Sequence, residues 1–152
     1  MIESAGKIHA LPDAAYQPSP NETYAVVFAM TKPSKQPGTV NPALERVARA
    51  VNLHASAGVP ANQMRFVAVA YGEATPLTLN HAQYRAQFGI DNPNLPVIEE
   101  LRAHGVDIAV CGQAVQEAQL QYDWIDPSVK LALSAITTIT LLQHKGYALM
   151  PL

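Results

Sequence analysis

Tyr24–Met30 reads YAVVFAM, Met64–Tyr71 reads MRFVAVAY and Val106–Cys111 reads VDIAVC. Each is a short apolar run rich in β-formers, the pattern of a strand covered on both faces. Outward from the first, Thr31–Val40 (TKPSKQPGTV) is a loop by its prolines and Gly38. Asn41 then stands as an N-cap with Pro42 at the first helical position. Leu44, Val47, Ala48 and Val51 recur at helical spacing, Glu45 and Arg49 fall at i, i+4 on a water-facing side, and Gly58 with Pro60 ends the helix.

The unit repeats after the second run. Gly72–Pro76 reads as a turn, Leu77–Phe88 as a helix closed by Gly89, and Asp91–Asn94 as a turn whose Asn94 caps a helix running to His104 and Gly105. The third run precedes a short helix around Ala114–Gln121. Val129, Leu131 and Leu133 alternate as a fourth strand, Ser134–Lys145 is helical, and Tyr147–Met150 forms a last strand. Strands and helices in alternation through short loops define an α/β layered domain with a mainly parallel sheet. Residues 1–23, with Pro12, Pro18 and Pro20 and no sustained period, read as an extended N-terminal arm before a single domain over 24–152.

Composition narrows the function classes. The chain has 152 residues, 49% hydrophobic, enough for one domain with a real core. Ten Lys and Arg and twelve Asp and Glu make 14% charged, against roughly 25%, or about 38 residues, in an average domain of this size. A shortage on that scale points to surface that does not face water, and so to a homo-oligomer. The helix Ser134–Lys145 (SAITTITLLQHK) agrees: its only formal charge is Lys145, and Ile136, Ile139, Leu141 and Leu142 spread round more than one face. The scattered cations and net charge of −2 argue against a nucleic-acid surface. No apolar run approaches the roughly 20 residues a membrane-spanning helix needs. The beginning, MIESAGKIHALPDAAYQPSP, has no apolar core of a secretion signal. The expectation is a periplasmic protein if a signal was removed, and a cytoplasmic one otherwise.

The one cysteine, Cys111, excludes an internal disulfide framework, Cys-rich zinc sites and a self-contained dithiol cycle. It closes the third strand and precedes Gly112, Gln113 and a helix. Ligands of open parallel sheets meet the carboxyl ends of the strands, where the next helix presents free N–H groups that favour negative charge on sulfur. Gly112 leaves room beside the sulfur, and Gln113 offers a donor to a bound anion. Thr31 and Lys32 end the first strand, and Tyr71, Gly72 and Glu73 the second. Lys32 would hold a sulfur anion, Tyr71 hydrogen-bond it and Glu73 move a proton. His9, His54, His81, His104 and His144 are not paired at ligand spacing, so neither a metal nor another cofactor is expected. Trp124, within YDWIDP (Tyr122–Pro127), anchors the link to the fourth strand.

The motif VCGQA (Val110–Ala114), the preceding NPNLPVIEELRAHGV (Asn92–Val106), the closing LSAITTITLLQHKGYALMPL and the earlier VNPALERVARAVNLHASAGV together resemble the DsrE/DsrF-like family. The resemblance runs from about Tyr24 to the end, and the arm is similar to that of a subgroup whose members look exported. It implies a three-layer α/β/α domain of flavodoxin-like architecture on a five-stranded, mainly parallel sheet, assembled as a trimer or hexamer. It also implies that Cys111 accepts sulfane sulfur as a persulfide and passes it to the thiol of a partner sulfur-carrier protein. Many relatives have His-Gly where this chain has Tyr71-Gly72, which removes a general base from that position.

Two other functions fit the residues. One is a flavodoxin-like module binding a phosphorylated small molecule at Thr31, Ser34, Gly38 and Thr39, although Pro33 and Pro37 remove backbone donors from that loop. The other is an oligomeric scaffold in which Cys111 is an inert core residue.

Overall fold

The computed structural model describes all 152 residues. Five strands, β1 (Tyr24–Met30), β2 (Met64–Ala70), β3 (Asp107–Cys111), β4 (Lys130–Ala132) and β5 (Ala148–Pro151), form one sheet in the order β4-β3-β2-β1-β5, every neighbouring pair parallel. Five α-helices join or flank them: α1 (Pro42–Ser56), α2 (His81–Phe88), α3 (Leu95–Ala103), α4 (Gly112–Glu117) and α5 (Ala135–His144). Helices lie on both faces, giving the three-layer α/β/α arrangement.

The two faces are unequal. Phe28 and Met30 of β1, Phe66, Ala68 and Ala70 of β2, and Ile108 and Val110 of β3 share one face, in register across the sheet. They pack against Leu44, Val47 and Val51 of α1, Tyr84 of α2 and Ile98 and Leu101 of α3 in a core of 28 buried residues. The opposite face carries Val27, Val69, Ala109 and Cys111, and its buried cluster has six members, completed by Ala114 and by Ala135 of α5. Ile139 and Leu142 extend α5 over it from the same helical side.

Local chemistry sets the helix ends. Asn41 caps α1, its Oδ1 accepting from Ala43 N–H at 2.9 Å, with Pro42 at the start of the helix. The helix expected over Leu77–Phe88 begins only at His81. Gly72–Thr78 instead winds as a 3-10 helix, in which the Thr75 and Thr78 hydroxyls donate back to the Gly72 and Thr75 carbonyls. Leu79 is then drawn into an antiparallel bridge with Ile125, and Asn80 caps α2 through Gln83 N–H. Asn94 precedes α3 but makes no side-chain cap: its Oδ1 accepts from Asn41 N–H at 2.7 Å, and its Nδ2 donates to Asn92. The short helix lies at Gly112–Glu117 rather than Ala114–Gln121, because Cys111 itself is its N-cap. Leu131 and Leu133 do not alternate into a core; both are exposed beside edge strand β4.

Residues 1–23 contain no helix or strand, and the first six lie against α1 and α3. Ile2 and Ala5 are buried in the large core. Asn52 Oδ1 accepts from Ile2 N–H, and its Nδ2 donates to the carbonyls of Ile2, Ala5 and Gly6. Gly6 has φ +73°, and a Cβ there would stand 2.5 Å from Ala48 C and Arg49 N, so only glycine fits. Glu45 and Arg49 therefore do more than face water: Glu45 accepts from Gly6 N–H at 2.7 Å, and Arg49 donates to the Lys7 carbonyl.

Glu100 accepts from Glu3 N–H at 2.7 Å and from Ser4 N–H. Hydrogen bonds from the Ser4 side chain, then from these backbone groups, hold its carboxyl below the usual glutamate range. A carboxyl lowered by folding contributes stability that is present above its unfolded value and lost as pH falls through the lowered folded one. The arm is therefore expected to loosen selectively in acid. Amide protection at Glu3 and Ser4 should fall before protection of the sheet as pH drops below the ordinary glutamate range, and Glu100→Ala should remove that protection at neutral pH as well.

Candidate functional site

At the carboxyl end of β3 the chain turns directly into α4. Cys111, 6% exposed, occupies the N-cap, and its Sγ accepts from Ala114 N–H at 3.4 Å. Because Cys111 sits in register with Ala132, its side chain belongs to the face covered by α5. There it meets small neighbours, Ala109, Ala114 and Ala135, rather than the bulky residues of the other face. A cleft of about 340 Å³ opens over it, walled by Tyr71 and Gly72 after β2, Gln113 and Glu117 of α4, and Ser134, Ile136 and Ile139 at the α5 side.

Four of the residues expected at the site thus converge on one cleft: Cys111, Gln113, Tyr71 and Gly72. Gly112 is buried at the start of α4. A Cβ at that position would stand 2.7 Å from the Ala132 carbonyl oxygen, so its hydrogen lets β4 close against the start of α4. Gln113 is partly committed, its Nε2 donating to the Leu133 carbonyl at 3.0 Å and tying α4 to the β4–α5 link.

The other three lie elsewhere. Thr31 binds the end of the chain, with both its N–H and its hydroxyl donating to the Leu152 carbonyl. Lys32 presents its carbonyl to Asn41 Nδ2 at 2.8 Å and does not line the cleft. Glu73 belongs to a neighbouring hollow of about 420 Å³, with Pro33, Pro37, Tyr84 and Phe88, that shares Gly72 with the first. Burial raises the Tyr84 hydroxyl above its ordinary value, and that hydroxyl donates to the Pro37 carbonyl at 2.7 Å. With prolines in place of backbone donors and a carboxylate on its wall, this hollow lacks the groups that cradle phosphate.

Sequence reading missed Glu117 and Ser134. Glu117 follows Cys111 by six positions and becomes a neighbour only because α4 starts at Gly112. Ser134 is the N-cap of α5, accepting from Thr137 N–H at 2.9 Å, and the signal for it was the Ser-x-x-Thr spacing at the helix start. The five histidines are dispersed, and no group of three His, Cys, Asp or Glu side chains stands within reach of a common ion. Trp124 is half-buried against the large core, and its segment is clamped by Asn80 N–H to the Trp124 carbonyl at 2.9 Å and by Asp126 N–H to Thr78 at 2.8 Å.

The chain is thus an α/β/α domain on a parallel sheet, with its lone thiol at the carboxyl end of the third strand. The profile of the DsrE/DsrF-like family matches residues 23–152, and the chain belongs to that family. Among solved structures it is similar to a protein of unknown function, MTH1491, from Methanobacterium thermoautotrophicum. The TM-score is 0.62 at 19% identity, covering 85% of this chain and 99% of that one, a likeness of fold. No curated protein sequence matches the chain.

Gly112→Ala is expected to lower stability by about 1–3 kcal/mol, the usual cost of overpacking, because the obstructing atom is a backbone carbonyl. Urea denaturation of the two proteins measures it.

Proposed function

We propose that the protein is a sulfur relay in which Cys111 accepts sulfane sulfur as a persulfide and hands it to a thiol on a partner protein. The observation that carries this reading is the position of the chain's single thiol: on the floor of an open cleft, at the N-cap of α4, with a backbone N–H aimed at the sulfur. Membership of the DsrE/DsrF-like family supports it. The chemistry needs one thiol and no cofactor. The Cys111 thiolate attacks the outer sulfur of a donor R–S–SH, the new Sγ–S bond forms, the donor S–S bond breaks and R–S⁻ leaves. The acceptor thiolate then repeats the exchange on the Cys111 persulfide and restores the cysteine. No net oxidant is consumed. The cleft over the sulfur supports this reading over that of an inert core cysteine.

Self-association belongs to the same reading, as a trimer or hexamer. Between Lys130 and Lys145 there is no Asp, Glu, Lys or Arg, and Leu131, Leu133, Ile136 and Leu141 are exposed, Leu133 at 72% and Ile136 at 80%. Exposed apolar groups in that number on a 152-residue chain are the composition of a surface that meets protein.

Reduced protein mixed with excess inorganic polysulfide is expected to gain about 32 Da by intact mass, one sulfur atom on the oxidation ladder of the thiol. The gain should vanish on reduction and be absent in Cys111→Ser. No gain, with a thiol that also resists alkylation in the folded protein, makes Cys111 a core residue and ends the relay reading. Sedimentation at micromolar concentration is expected to show an oligomer, and Ile136→Glu to shift it toward monomer; a wild-type monomer overturns the assembly.

A further inference from the structure

We infer that the cleft selects its sulfur donor by charge, taking uncharged or cationic organic persulfides and disfavouring sulfur oxyanions, with Glu117 as the residue that sets this preference. The inference rests on the relay reading for its biological sense, but its evidence is the lining of the cleft. The titratable side chains there are Tyr71, Cys111 and Glu117; no Lys, Arg or His is among them. Lys32, the cation that sequence placed near the sulfur, lies outside. An entering anion such as thiosulfate therefore meets a carboxylate with no side-chain cation to balance it.

Backbone donors oppose this. Ala114 N–H, 3.4 Å from Sγ, is a partial positive charge already turned to the cysteine sulfur, and Ala135 and Ile136 bring the first N–H groups of α5, which have no intrahelical partner, to the cleft wall. The side-chain donor, Gln113 Nε2, has one of its hydrogens on the Leu133 carbonyl. The rest of the wall is apolar or neutral: Ile136, Ile139, Ala114, Ala135, Gly72 and the Ser134 hydroxyl, which serves as the α5 cap. Six residues of α-helix separate the Cys111 and Glu117 backbones by about 9 Å, close to a Debye length at physiological salt. The carboxylate, on the wall of the same cleft, is near enough to bias the approach of a charged donor. Ile136 and Ile139 give the uncharged part of a donor an apolar wall.

Methanethiosulfonate reagents of matched size measure this directly. The Cys111 thiolate attacks the sulfenyl sulfur, an Sγ–S bond forms, the S–SO₂ bond breaks and methanesulfinate leaves. Rates with the trimethylammonioethyl, methyl and sulfonatoethyl reagents would each be divided by the rate of the same reagent with 2-mercaptoethanol, removing intrinsic reactivity. The normalised cationic-to-anionic ratio is expected at about tenfold for the native protein at low salt, about twofold for Glu117→Gln, and inverted for Glu117→Lys. A native ratio at or below one, or a ratio unchanged by Glu117→Gln, overturns the inference. So does a thiol that none of the three reagents modifies. The Gln variant keeps the size and helix propensity of Glu, so a purely structural role would not move the ratio. If the reagents discriminate by charge but an uncharged organic persulfide also adds no sulfur to Cys111, the relay reading fails while the charge selection stands.

Discussion

The handedness of β-α-β crossovers governs this molecule more than any single contact. Crossovers between parallel strands are right-handed, so strands added in one direction place all their connecting helices on one face. From β1 to β4 the chain adds each strand on the same side of the last, and α1, α2 and α3 accordingly stack on one face. The return from β4 to β5 runs the other way, past β3, β2 and β1, and puts α5 on the second face, where only the start of α4 joins it. One ten-residue helix cannot cover five strands. Over β1, β2 and β5 it does; beyond, toward β3 and β4, the face is left with alanines, a cysteine and open space. The cleft over Cys111 follows from the order of the strands.

What keeps the rim of that cleft in shape is a chain of buried amides on the opposite side of the sheet. Asn41 Nδ2 holds the Lys32 carbonyl, Asn41 N–H reaches Asn94, Asn94 reaches Asn92, and Asn92 Nδ2 holds the carbonyls of Leu77 and Leu79 at 3.0 and 2.7 Å. All three asparagines are almost wholly covered, and no buried side-chain polar atom in the protein lacks a partner. A partner lost from such a site costs about 1–3 kcal/mol, the desolvation of the group left behind. The network joins the loop after β1, the 3-10 helix after β2 and the start of α3. Tyr71 and Gly72 lead into that 3-10 helix, so one wall of the cleft is fixed from behind.

The sequence was most legible where one periodicity or one cap decides. Three apolar runs announced β1, β2 and β3, and Asn41-Pro42 announced α1, because strand and cap chemistry are local. Leu77 looked helical for the same local reason and is not: Thr75, Thr78 and the Leu79–Ile125 bridge outweigh its pattern, and the bridge partner lies 46 positions on. Asn94 could be read as a cap from its place but not as a partner of Asn41, 53 residues away. At the site, Cys111 and Gln113 were visible because strand ends and helix starts are visible. Sequence tells which residues lie at the carboxyl edge but not which of two adjoining hollows each one faces: Glu73 falls in the second, and Lys32 lines neither. Glu117 was hidden by an error of two residues in the start of α4.

The exposed apolar groups and the thiol are not independent features. Ile136 is at once among the most exposed large apolar residues of the chain and part of the wall around Cys111. Gln113 lines both that cleft and the shallow hollow formed by Tyr122, Leu131 and Leu133 along β4. Any neighbour that covers the β4 edge and the start of α5 therefore narrows the way to the sulfur, whether it is another copy of the chain or a protein bringing an acceptor thiol. A surface without charge over fourteen residues suits such contacts because no ion has to be desolvated to form them. The same absence leaves Glu117 as the one carboxylate at the cleft, its charge unneutralised by a neighbour. Access to Cys111 thus traces to the coverage that the strand order leaves on this face.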